Sequence, residues 1–314
     1  MVLSVQHDVA PEFEANRRYL WSICYRMTGS AADADDLVQE TFARALEHPP
    51  PDTSTPWRPW LTRIAVNLAR DNLRRRKVRG YTGQWLPEPV ELDGSTLDAA
   101  GPERDAETRY GTFESLSFAF LTALEALTPT QRAVLLLRDA LDYSVRETAD
   151  ALEISEANVK TTLHRARTAM SNYETTRVQP SPETQAHVAE VLYKILGAMA
   201  TGDVNTFESL LATDVVAISD GGGHTFAAKN PVVGANKIAR MYAKLAAGAS
   251  AAGKLEVREL NGAPAVVVDD PGVKPPAAVR AVLRIELNAE GKIASIHSVL
   301  NPEKLRRLFL NHPL

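Results

Sequence analysis

The 314-residue sequence predicts a multidomain protein, with two all-α helical domains followed by an α+β domain built on a curved, mostly antiparallel sheet. Three observations predict this fold class. Apolar residues recur at helical spacing through residues 12–79 and 113–170. Segments rich in glycine or proline interrupt that pattern at 80–112 and 179–182. Toward the C-terminus, short strand-like runs alternate with turn signals such as Asn261-Gly262. The predicted units are 1–79, a linker 80–112, 113–178, and 183–314 with a C-terminal tail.

Composition sets the broad class of the protein. The formal net charge is only −4, so any attraction to nucleic acid must come from local charge patterning. The single cysteine, Cys24, has apolar neighbours, which predicts a buried thiol and excludes an internal disulfide. The sequence contains neither an apolar run of about 18 residues nor a leader-like N-terminus. We therefore expect a soluble, cytoplasmic protein.

The stretch from Trp57 to Arg79 predicts a helix with one apolar stripe and one basic face. The stripe consists of Trp57, Trp60, Leu61, Ile64, Ala65 and Leu68. Guanidinium and amide groups in a row are typical of phosphate neutralisation with some base contact, although a solvated basic surface remains an alternative. The candidate nucleic-acid residues here are Trp60, Arg63, Asn67, Arg70, Arg74, Arg75 and Arg76.

An acidic helix precedes this basic one. Ser30 is placed as an N-cap, and the predicted buried face comprises Ala34, Leu37, Val38, Thr41, Phe42, Ala45 and Leu46. The other side carries acidic and amide groups, which could form an ordinary surface or a docking face for a basic partner. The candidate docking residues are Asp35, Asp36, Gln39 and Glu40.

Residues 113–178 predict a helix-turn-helix. Thr128 and Ser144 each begin a capping box, and Ser155 caps a third helix. The predicted helices are Pro129–Leu141, Val145–Leu152 and Glu156–Met170. In the last helix Val159, Leu163, Ala166 and Met170 are predicted to be buried. Its outward side presents donors suited to base edges and phosphates, namely Asn158, Lys160, Thr161, Thr162, His164, Arg165 and Arg167.

Two strings stand out in otherwise polar or turn-forming surroundings. Trp85-Leu86-Pro87-Glu88-Pro89 places apolar groups in an acidic linker, which indicates a docking point or a chance apolar pair. Asp220-Gly221-Gly222-Gly223-His224 indicates either a docking or ligand loop or a glycine-rich hairpin. Around the second string we predict helices at Glu183–Thr201, Asn205–Leu211 and Ala235–Ala247, and strands at Val215–Ser219, Thr225–Ala228, Leu255–Leu260, Ala265–Val268, Ala278–Leu287 and Ile293–Leu300.

The strings Asp33–Phe42, Trp60–Arg76 and Leu127–Met170, in this order, resemble sigma region 2 and sigma region 4 of the extracytoplasmic-function (group 4) sigma factors of bacterial RNA polymerase. The C-terminal part resembles the cone-shaped SnoaL-like fold of the NTF2 superfamily. A sigma factor with that extension is similar to the ECF41, or SigJ-type, group. The strings that fit this group are Trp85–Pro89, Asp220–His224 and Asn301-Pro302-Glu303-Lys304-Leu305, although Asp is more usual where Glu303 stands.

The resemblance implies a role for each segment. The acidic helix would bind the largest polymerase subunit, the basic helix would hold the −10 element, and the Glu156–Met170 helix would read the −35 element. The acidic linker would thread toward the polymerase active centre. The C-terminal domain would regulate these functions in cis, and no cofactor, metal or membrane is implied.

Catalysis is a weaker interpretation of the same sequence. Relatives of the cone-shaped fold use Asp, His or Tyr as acid–base groups, and Asp214, Asp220, His224, Tyr242 and His297 are candidates by residue type. The sequence shows neither a nucleophile–base spacing nor a metal-ligand cluster, so we expect no enzyme activity and no catalytic residues. The alternatives to a sigma factor are a ligand-responsive helix-turn-helix regulator and a cone-fold isomerase or hydrolase.

Overall fold

The computed structural model describes residues 10–50, 52, 54–92, 109–178 and 181–311. Two compact units emerge. The first contains the described parts of residues 1–78, 93–115 and 124–171, and the second contains 79–92, 116–123 and the described part of 172–314. The acidic linker residues between 93 and 108, which include Asp98 and Glu103, lie outside the described residues, as do Gln179 and Pro180 at the second predicted boundary.

The first unit begins with three helices, α1 Ala10–Thr28, α2 Ala31–Glu47 and α3 Arg58–Arg79. Gly29 separates α1 from α2 with a φ of +66°, a conformation that glycine adopts without a steric penalty. The Ser30 side chain then accepts a hydrogen bond from the Asp33 amide at 3.2 Å, which confirms the predicted N-cap. Cys24 is fully buried in this helical core, as predicted.

The helix-turn-helix follows as predicted. The helices of this segment are α4 Thr112–Leu116, α5 Phe118–Ala123, a 3₁₀ turn Leu124–Ala126, α6 Pro129–Leu135 with a π turn Leu136–Ala140, α7 Val145–Leu152, α8 Glu156–Ala169 and α9 Ser171–Thr176. The helix-turn-helix itself is formed by α7 and α8, whereas α5 and most of α9 belong to the second unit. Both capping boxes form at Thr128 and Ser144, and Ser155 accepts from the Asn158 amide. The predicted buried side of α8 is confirmed, because Val159, Leu163, Ala166 and Met170 are at most 9% exposed.

The second unit is an α+β domain. Its helices are α10 Pro182–Thr201, α11 Val204–Leu210, α12 Ala235–Ala247 and α13 Pro302–Asn311. Its strands are β1 Leu211–Asp220, β2 Val232–Val233, β3 Lys254–Leu260, β4 Ala263–Asp269, β5 Arg280–Leu287 and β6 Ile293–Val299. They form one sheet in the order β2-β1-β6-β5-β4-β3, in which only the β1–β6 pair is parallel. The mostly antiparallel sheet expected from the hairpin turns is therefore confirmed.

Apolar cores cover both faces of this sheet. On one face, side chains of α10, α11 and α12 pack against alternate strand residues such as Ala217, Ile285 and Ile296. On the other face, Val267, Val282 and Val299 pack with residues from outside the sheet. Those residues are Leu86 of the linker, Phe118 of α5, and Leu305, Leu308 and Phe309 of α13. The second face of the sheet is therefore covered by segments that are distant from it in sequence.

Two local predictions were wrong. Residues 225–228, predicted as a strand, form no strand, and the short strand β2 lies instead at Val232–Val233. Leu46 was predicted to be buried with the apolar side of α2 but is 62% exposed in the last turn of that helix. Helical periodicity defines which side of α2 is apolar, but it does not show how far along the helix the neighbouring elements extend.

Candidate nucleic-acid interface and linker-docking site

The packing of one side of α3 in the helical core determines which of its side chains lie on the opposite, basic side. Leu61, Ala65 and Leu68 are at most 4% exposed, and this packing leaves Arg63, Asn67 and Arg70 along the opposite surface. Arg63, Arg74 and Arg75 are exposed, whereas Trp60, Asn67, Arg70 and Arg76 are half-buried. Burial, followed by the positive charge of Arg74, lowers the pKa of Arg70, which stays positively charged at neutral pH.

Several of these side chains are already engaged within the first unit. The Arg63 guanidinium donates to the Glu153 carboxylate, and the Asn67 amide donates to the Ala151 carbonyl at 3.0 Å. Arg74 pairs with Asp71 of its own helix at 2.9 Å. Arg76 donates to both oxygens of Glu125, at 2.7 and 2.8 Å. The predicted −10 residues therefore lie on one helix, but only some of them face solvent without a protein partner nearby.

The outward side of α8 matches its prediction in position. Asn158, Lys160, Thr161, His164 and Arg165 are exposed and Thr162 is half-buried. Because Val159, Leu163 and Ala166 hold the other side in the core, the donors form one continuous polar surface. Such a surface, on the second helix of a helix-turn-helix, is the geometry that places side chains in a major groove.

Arg167 differs from its neighbours on α8. Its guanidinium makes a two-pronged pair with the carboxylate of Asp139, at 2.9 and 2.7 Å. Asp139 is 2% exposed, so this pair fixes α8 against the π turn after α6. The hydrogen bonds to Asp139 raise the pKa of Arg167. Its arrangement is that of a structural ion pair, and any contact with DNA has to compete with Asp139.

The predicted docking face on α2 is acidic and accessible. Asp36, Gln39 and Glu40 are exposed and Asp35 is half-buried, while Leu37 and Val38 are at most 5% exposed on the opposite side. Glu40 pairs with Arg44 one turn later at 2.8 Å, in a pair that is half-exposed on both sides. Such a pair contributes little to stability and opens readily for a basic partner.

Asp220 is the centre of the linker-docking site, which comprises Tyr81, Leu86, Asp220, Asn301 and Lys304. The Asp220 side chain is fully buried at the end of β1. It accepts hydrogen bonds from the Tyr81 hydroxyl at 2.6 Å, the Leu86 amide at 2.9 Å and the Lys304 ammonium at 2.6 Å. A buried carboxylate is stable only with such partners, and here two of them come from the linker.

The three strings singled out in the sequence meet at this site. Lys304 also donates to the Leu86 carbonyl and lies 4.4 Å from the centre of the Trp85 ring. Residues 86–90, which include Pro87, Glu88 and Pro89, are buried. Asn301 is buried, Pro302 and Glu303 are exposed, and Leu305 is 1% exposed. Fully burying a leucine such as Leu86 contributes about 1.5–3 kcal/mol, so the linker is held by apolar packing as well as by polar bonds.

Glycine is required in the Asp220–His224 loop because neighbouring side chains lie very close to its backbone. A Cβ on Gly222 would lie 2.3 Å from the Asn301 amide nitrogen, and one on Gly223 would lie 3.2 Å from the Thr82 side chain. Both residues also have positive φ. His224 at the end of the loop is exposed and lies 3.6 Å from the carboxylate of Glu303. The loop is therefore shaped around the linker and the start of α13.

Tyr81 belongs to the linker-docking site although no motif in the sequence indicates it: it supplies the linker hydroxyl for Asp220 and accepts a hydrogen bond from the Asn301 amide at 3.0 Å. Burial and the hydrogen bond to Asp220 raise the pKa of Tyr81, which keeps its proton on the hydroxyl. The only sequence signal was an aromatic residue between Gly80 and Gly83 in a polar linker. Phe118 was also missed, because it was assigned to the helical region and not to the C-terminal sheet.

The candidate acid–base residues do not converge. Tyr242 hydrogen-bonds Ser298 at 2.7 Å on one face of the sheet, and burial raises its pKa to about 12. His297, the neighbour of Ser298, points to the opposite face beside the ring of Phe118, and burial lowers its pKa. Asp214 and His224 are exposed, and Asp220 is committed to the linker. Their geometry does not assemble a nucleophile with a base.

Two features are absent from the described residues. In the described segments between residues 10 and 311, no group of three or more His, Cys, Asp or Glu side chains could bind a metal ion. Within the same segments, none of the helices combines the length and apolar character needed to cross a bilayer.

An acidic helix and a basic helix in one helical bundle, followed by a helix-turn-helix with an outward row of donors, are the features of a DNA-binding transcription protein. Family models agree with this assignment. Sigma-70 region 2 matches residues 13–79, and Sigma-70, region 4 matches residues 117–170.

Relatives narrow the assignment further. The chain is 34% identical to the ECF RNA polymerase sigma factor SigJ of Mycobacterium tuberculosis over 93% of this chain and 92% of the relative. It is 27% identical to the probable ECF RNA polymerase sigma factor SigI of the same organism over 96% of each chain. The crystal structure of M. tuberculosis SigJ matches with a TM-score of 0.72 at 31% identity, covering 95% of this chain and 98% of that one.

The chain belongs to the extracytoplasmic-function sigma factors of RNA polymerase. Proteins of this family direct transcription initiation at promoters, and they do so by binding core RNA polymerase and promoter DNA. The family is not a catalytic one. The predicted architecture of two helical sigma domains and a helix-plus-sheet C-terminal domain is confirmed.

Proposed function

We propose that this sigma factor divides its functions among the segments defined above, and that its C-terminal domain regulates initiation in cis. The acidic face of α2 binds the largest polymerase subunit, the basic side of α3 holds the −10 strand, and the outward side of α8 reads the −35 element. The protein acts in the cytoplasm, where polymerase and DNA are, and needs no cofactor. The functional segments keep the boundaries 1–79, 80–112, 113–178 and 183–314.

One observation carries the regulatory part of the proposal: the fully buried carboxylate of Asp220 binds the linker directly, through the Leu86 amide and the Tyr81 hydroxyl. A linker that only joined two domains would not need to supply partners for a buried charge. The C-terminal domain therefore controls the chain that connects the two DNA-binding parts.

When the linker is docked on the C-terminal sheet, less chain is available to connect regions 2 and 4. Residues 81–90 are held on the C-terminal sheet, and ten residues released from it would add at most about 33–36 Å of extended chain. The −10 and −35 elements of a promoter lie at a fixed separation, so the chain available between regions 2 and 4 affects whether both can bind at once. A docked linker and a released linker should therefore support initiation to different extents.

The basic function is tested by run-off transcription with core polymerase, with and without this protein. A sigma factor gives promoter-specific transcripts, whereas a ligand-responsive regulator or a cone-fold enzyme added to core polymerase gives none. Charge reversal at Asp36 and Glu40 should weaken the stimulation, because it reverses the face proposed to bind polymerase. Unchanged stimulation would contradict the docking role of α2.

The regulatory function is tested by comparing full-length protein with versions ending at Leu300 and Gln179. The first truncation removes α13 with Lys304, and the second removes the whole sheet that binds the linker. We expect the two truncations to differ in activity from the full-length protein and from each other. Equal activity and equal core affinity for all three would refute regulation in cis.

A point substitution provides a matched control for the truncations. Leu305→Asp places a charge in the core that covers Leu86, because Leu305 is 1% exposed. Leu310→Asp places the same charge on the same helix at a residue that is 69% exposed. Leu305→Asp should reproduce the effect of ending the chain at Leu300, and Leu310→Asp should behave as the unmodified protein.

A further inference from the structure

Helix α12 of the C-terminal domain carries a row of positive charges that the proposed function leaves unused. Lys237, Arg240 and Lys244 are exposed and recur at i, i+3 and i+7 along the helix. At about 100° per residue they lie within about 60° of one another around the helix axis, and a rise of about 1.5 Å per residue spreads them over about 10 Å. We call these three residues the α12 cation row.

The packing of α12 fixes the direction in which this row points. Ile238, Ala239 and Tyr242 are at most 3% exposed and belong to the apolar core between the helices and the sheet. The Tyr242 hydroxyl is also hydrogen-bonded to Ser298 of β6 at 2.7 Å, which restrains rotation of the helix about its axis. Because the core holds one side of α12, the cation row is held on the opposite side, toward solvent.

The positive charge of the row is not neutralised within the domain. Residues 221–252 contain no Asp or Glu, although the whole chain has 39 in 314 residues, about one in eight. Among the residues that the structure describes, the row forms no ion pair and no side-chain hydrogen bond. Glu208, an acid close to the helix, accepts instead from the Asn236 amide at 2.9 Å. By contrast, Lys194 on α10 pairs with Glu190 at 2.7 Å.

We propose that the α12 cation row binds the phosphate backbone of duplex DNA independently of base sequence, which gives this sigma factor a DNA contact in its C-terminal domain. Lysine and arginine are the usual partners of phosphate oxygens, and the row itself contains no amide or hydroxyl group that reads base edges. Its length of about 10 Å matches about three phosphates of one strand, which rise 3.4 Å each along the duplex axis. The inference does not depend on the roles proposed for α2, α3 and α8.

The strength of such a contact depends on covalent attachment to the rest of the chain. Sequence-independent binding typically has a Kd of about 10⁻⁴–10⁻⁶ M, and three phosphate contacts place the row at the weak end of that range. A short tether to a DNA-bound region supplies an effective concentration on the order of 1 mM. At a Kd of about 10⁻⁴ M the row would then be occupied about nine-tenths of the time. It should therefore strengthen DNA binding without changing which promoter is chosen.

The test uses the full chain without polymerase and a fluorescein-labelled, non-promoter duplex of about 30 base pairs. Anisotropy gives the affinity between about 50 and 200 mM salt. The test variant replaces all three residues of the α12 cation row by glutamine. The matched control combines Lys194→Gln, Lys254→Gln and Lys274→Gln, which remove the same charge from exposed positions elsewhere in the domain. Circular dichroism checks that both variants keep their secondary structure.

We expect the test variant to have a salt slope shallower by about 2.7 than the control, since each phosphate contact contributes about 0.9 on duplex DNA. Its deficit in affinity should therefore shrink about 40-fold between 50 and 200 mM salt. A third variant, Lys237→Arg with Lys244→Arg, should keep the original slope because it keeps the charge. Equal slopes for the test variant and the control would overturn the proposal and leave the row an ordinary solvated surface.

A second measurement separates DNA from an acidic protein surface as the partner of the row. The affinity of the same variants for core polymerase is measured in the absence of DNA. We expect the test variant and the control to bind core polymerase equally well. A test variant that binds core polymerase more weakly than the control, while its DNA affinity and salt slope match the control, would overturn the proposal and assign the row to a protein partner.

Discussion

Replacing Tyr81 with phenylalanine removes one oxygen atom from the linker-docking site and keeps the ring. The ring contact with the Lys304 ammonium, at 4.8 Å, is retained. The change removes the hydrogen bond to Asp220 at 2.6 Å and leaves the Asn301 amide without its phenolic acceptor. Asp220 still accepts a hydrogen bond from the Gly222 amide at 3.0 Å, so its carboxylate remains hydrogen-bonded.

The size of the effect follows from the charge on the acceptor. A hydrogen bond to a charged group contributes about 1.5–3 kcal/mol net, and each 1.36 kcal/mol is a factor of ten in an equilibrium. Tyr81→Phe should therefore increase the population of the undocked linker about 10- to 150-fold. The C-terminal sheet should keep its stability, because its helices α10–α12 cover the opposite face.

Hydrogen exchange at the Leu86 amide measures this population, because that amide donates to Asp220 at 2.9 Å and exchanges when the linker leaves. We expect it to exchange about 10- to 150-fold faster in Tyr81→Phe, while amides of β5 and β6 keep their rates. Tyr193→Phe is the control, because Tyr193 is 62% exposed on α10. Unchanged exchange at Leu86, or equal acceleration in Tyr193→Phe, would refute the view that the linker is held through Asp220.

Three further predictions concern the first unit. Charge reversal at Asp36 and Glu40 together should weaken binding to core polymerase at least tenfold with unchanged helicity by circular dichroism, and unchanged affinity would exclude the α2 docking role. Asn67→Ala should weaken promoter binding by about 1–3 kcal/mol and relax specificity at one promoter position. Arg75→Ala should weaken binding to all DNA sequences alike and reduce the salt slope by about 1, and a position-specific loss would contradict a phosphate contact for Arg75. In the folded protein the pKa of Glu125 lies below its ordinary value of 4.5, so the stabilising contribution of its charge is present above pH 4.5 and is lost as the pH falls further. The difference in unfolding free energy between the protein and Glu125→Gln should therefore shrink from pH 5 toward pH 3. A constant difference would contradict this role of the Glu125 charge.

Much of the local structure could be predicted because its causes are local. Thr128, Ser144 and Ser155 cap their helices through bonds that reach only three residues along the chain. The turn at Asn261-Gly262 depends on residues that tolerate positive φ, and both have it. The buried side of α8 follows from helical periodicity alone.

The covering of the C-terminal sheet could not be predicted in the same way. Leu86 and Phe118 lie in segments whose patterns indicate a linker and a helical domain, yet both are fully buried against the sheet. The sequence identifies three unusual strings, each one separately: Trp85–Pro89, Asp220–His224 and Asn301–Leu305. Their meeting at Asp220 depends on long-range packing, which has no periodic signal in a single sequence.

The order of the domains, the helix-turn-helix, and the rows of charge on α2, α3 and α8 can be read from the amino-acid sequence, because each follows from side-chain spacing along one element. Which of these charges have a protein partner depends on long-range packing. Arg75 is exposed, whereas Arg76, its neighbour, binds Glu125. Arg26 is 1% exposed and donates to Ser115, and burial lowers its pKa to about 10. An arginine has the same local preferences in each of these places, and its role depends on the partner that folding brings within hydrogen-bonding distance.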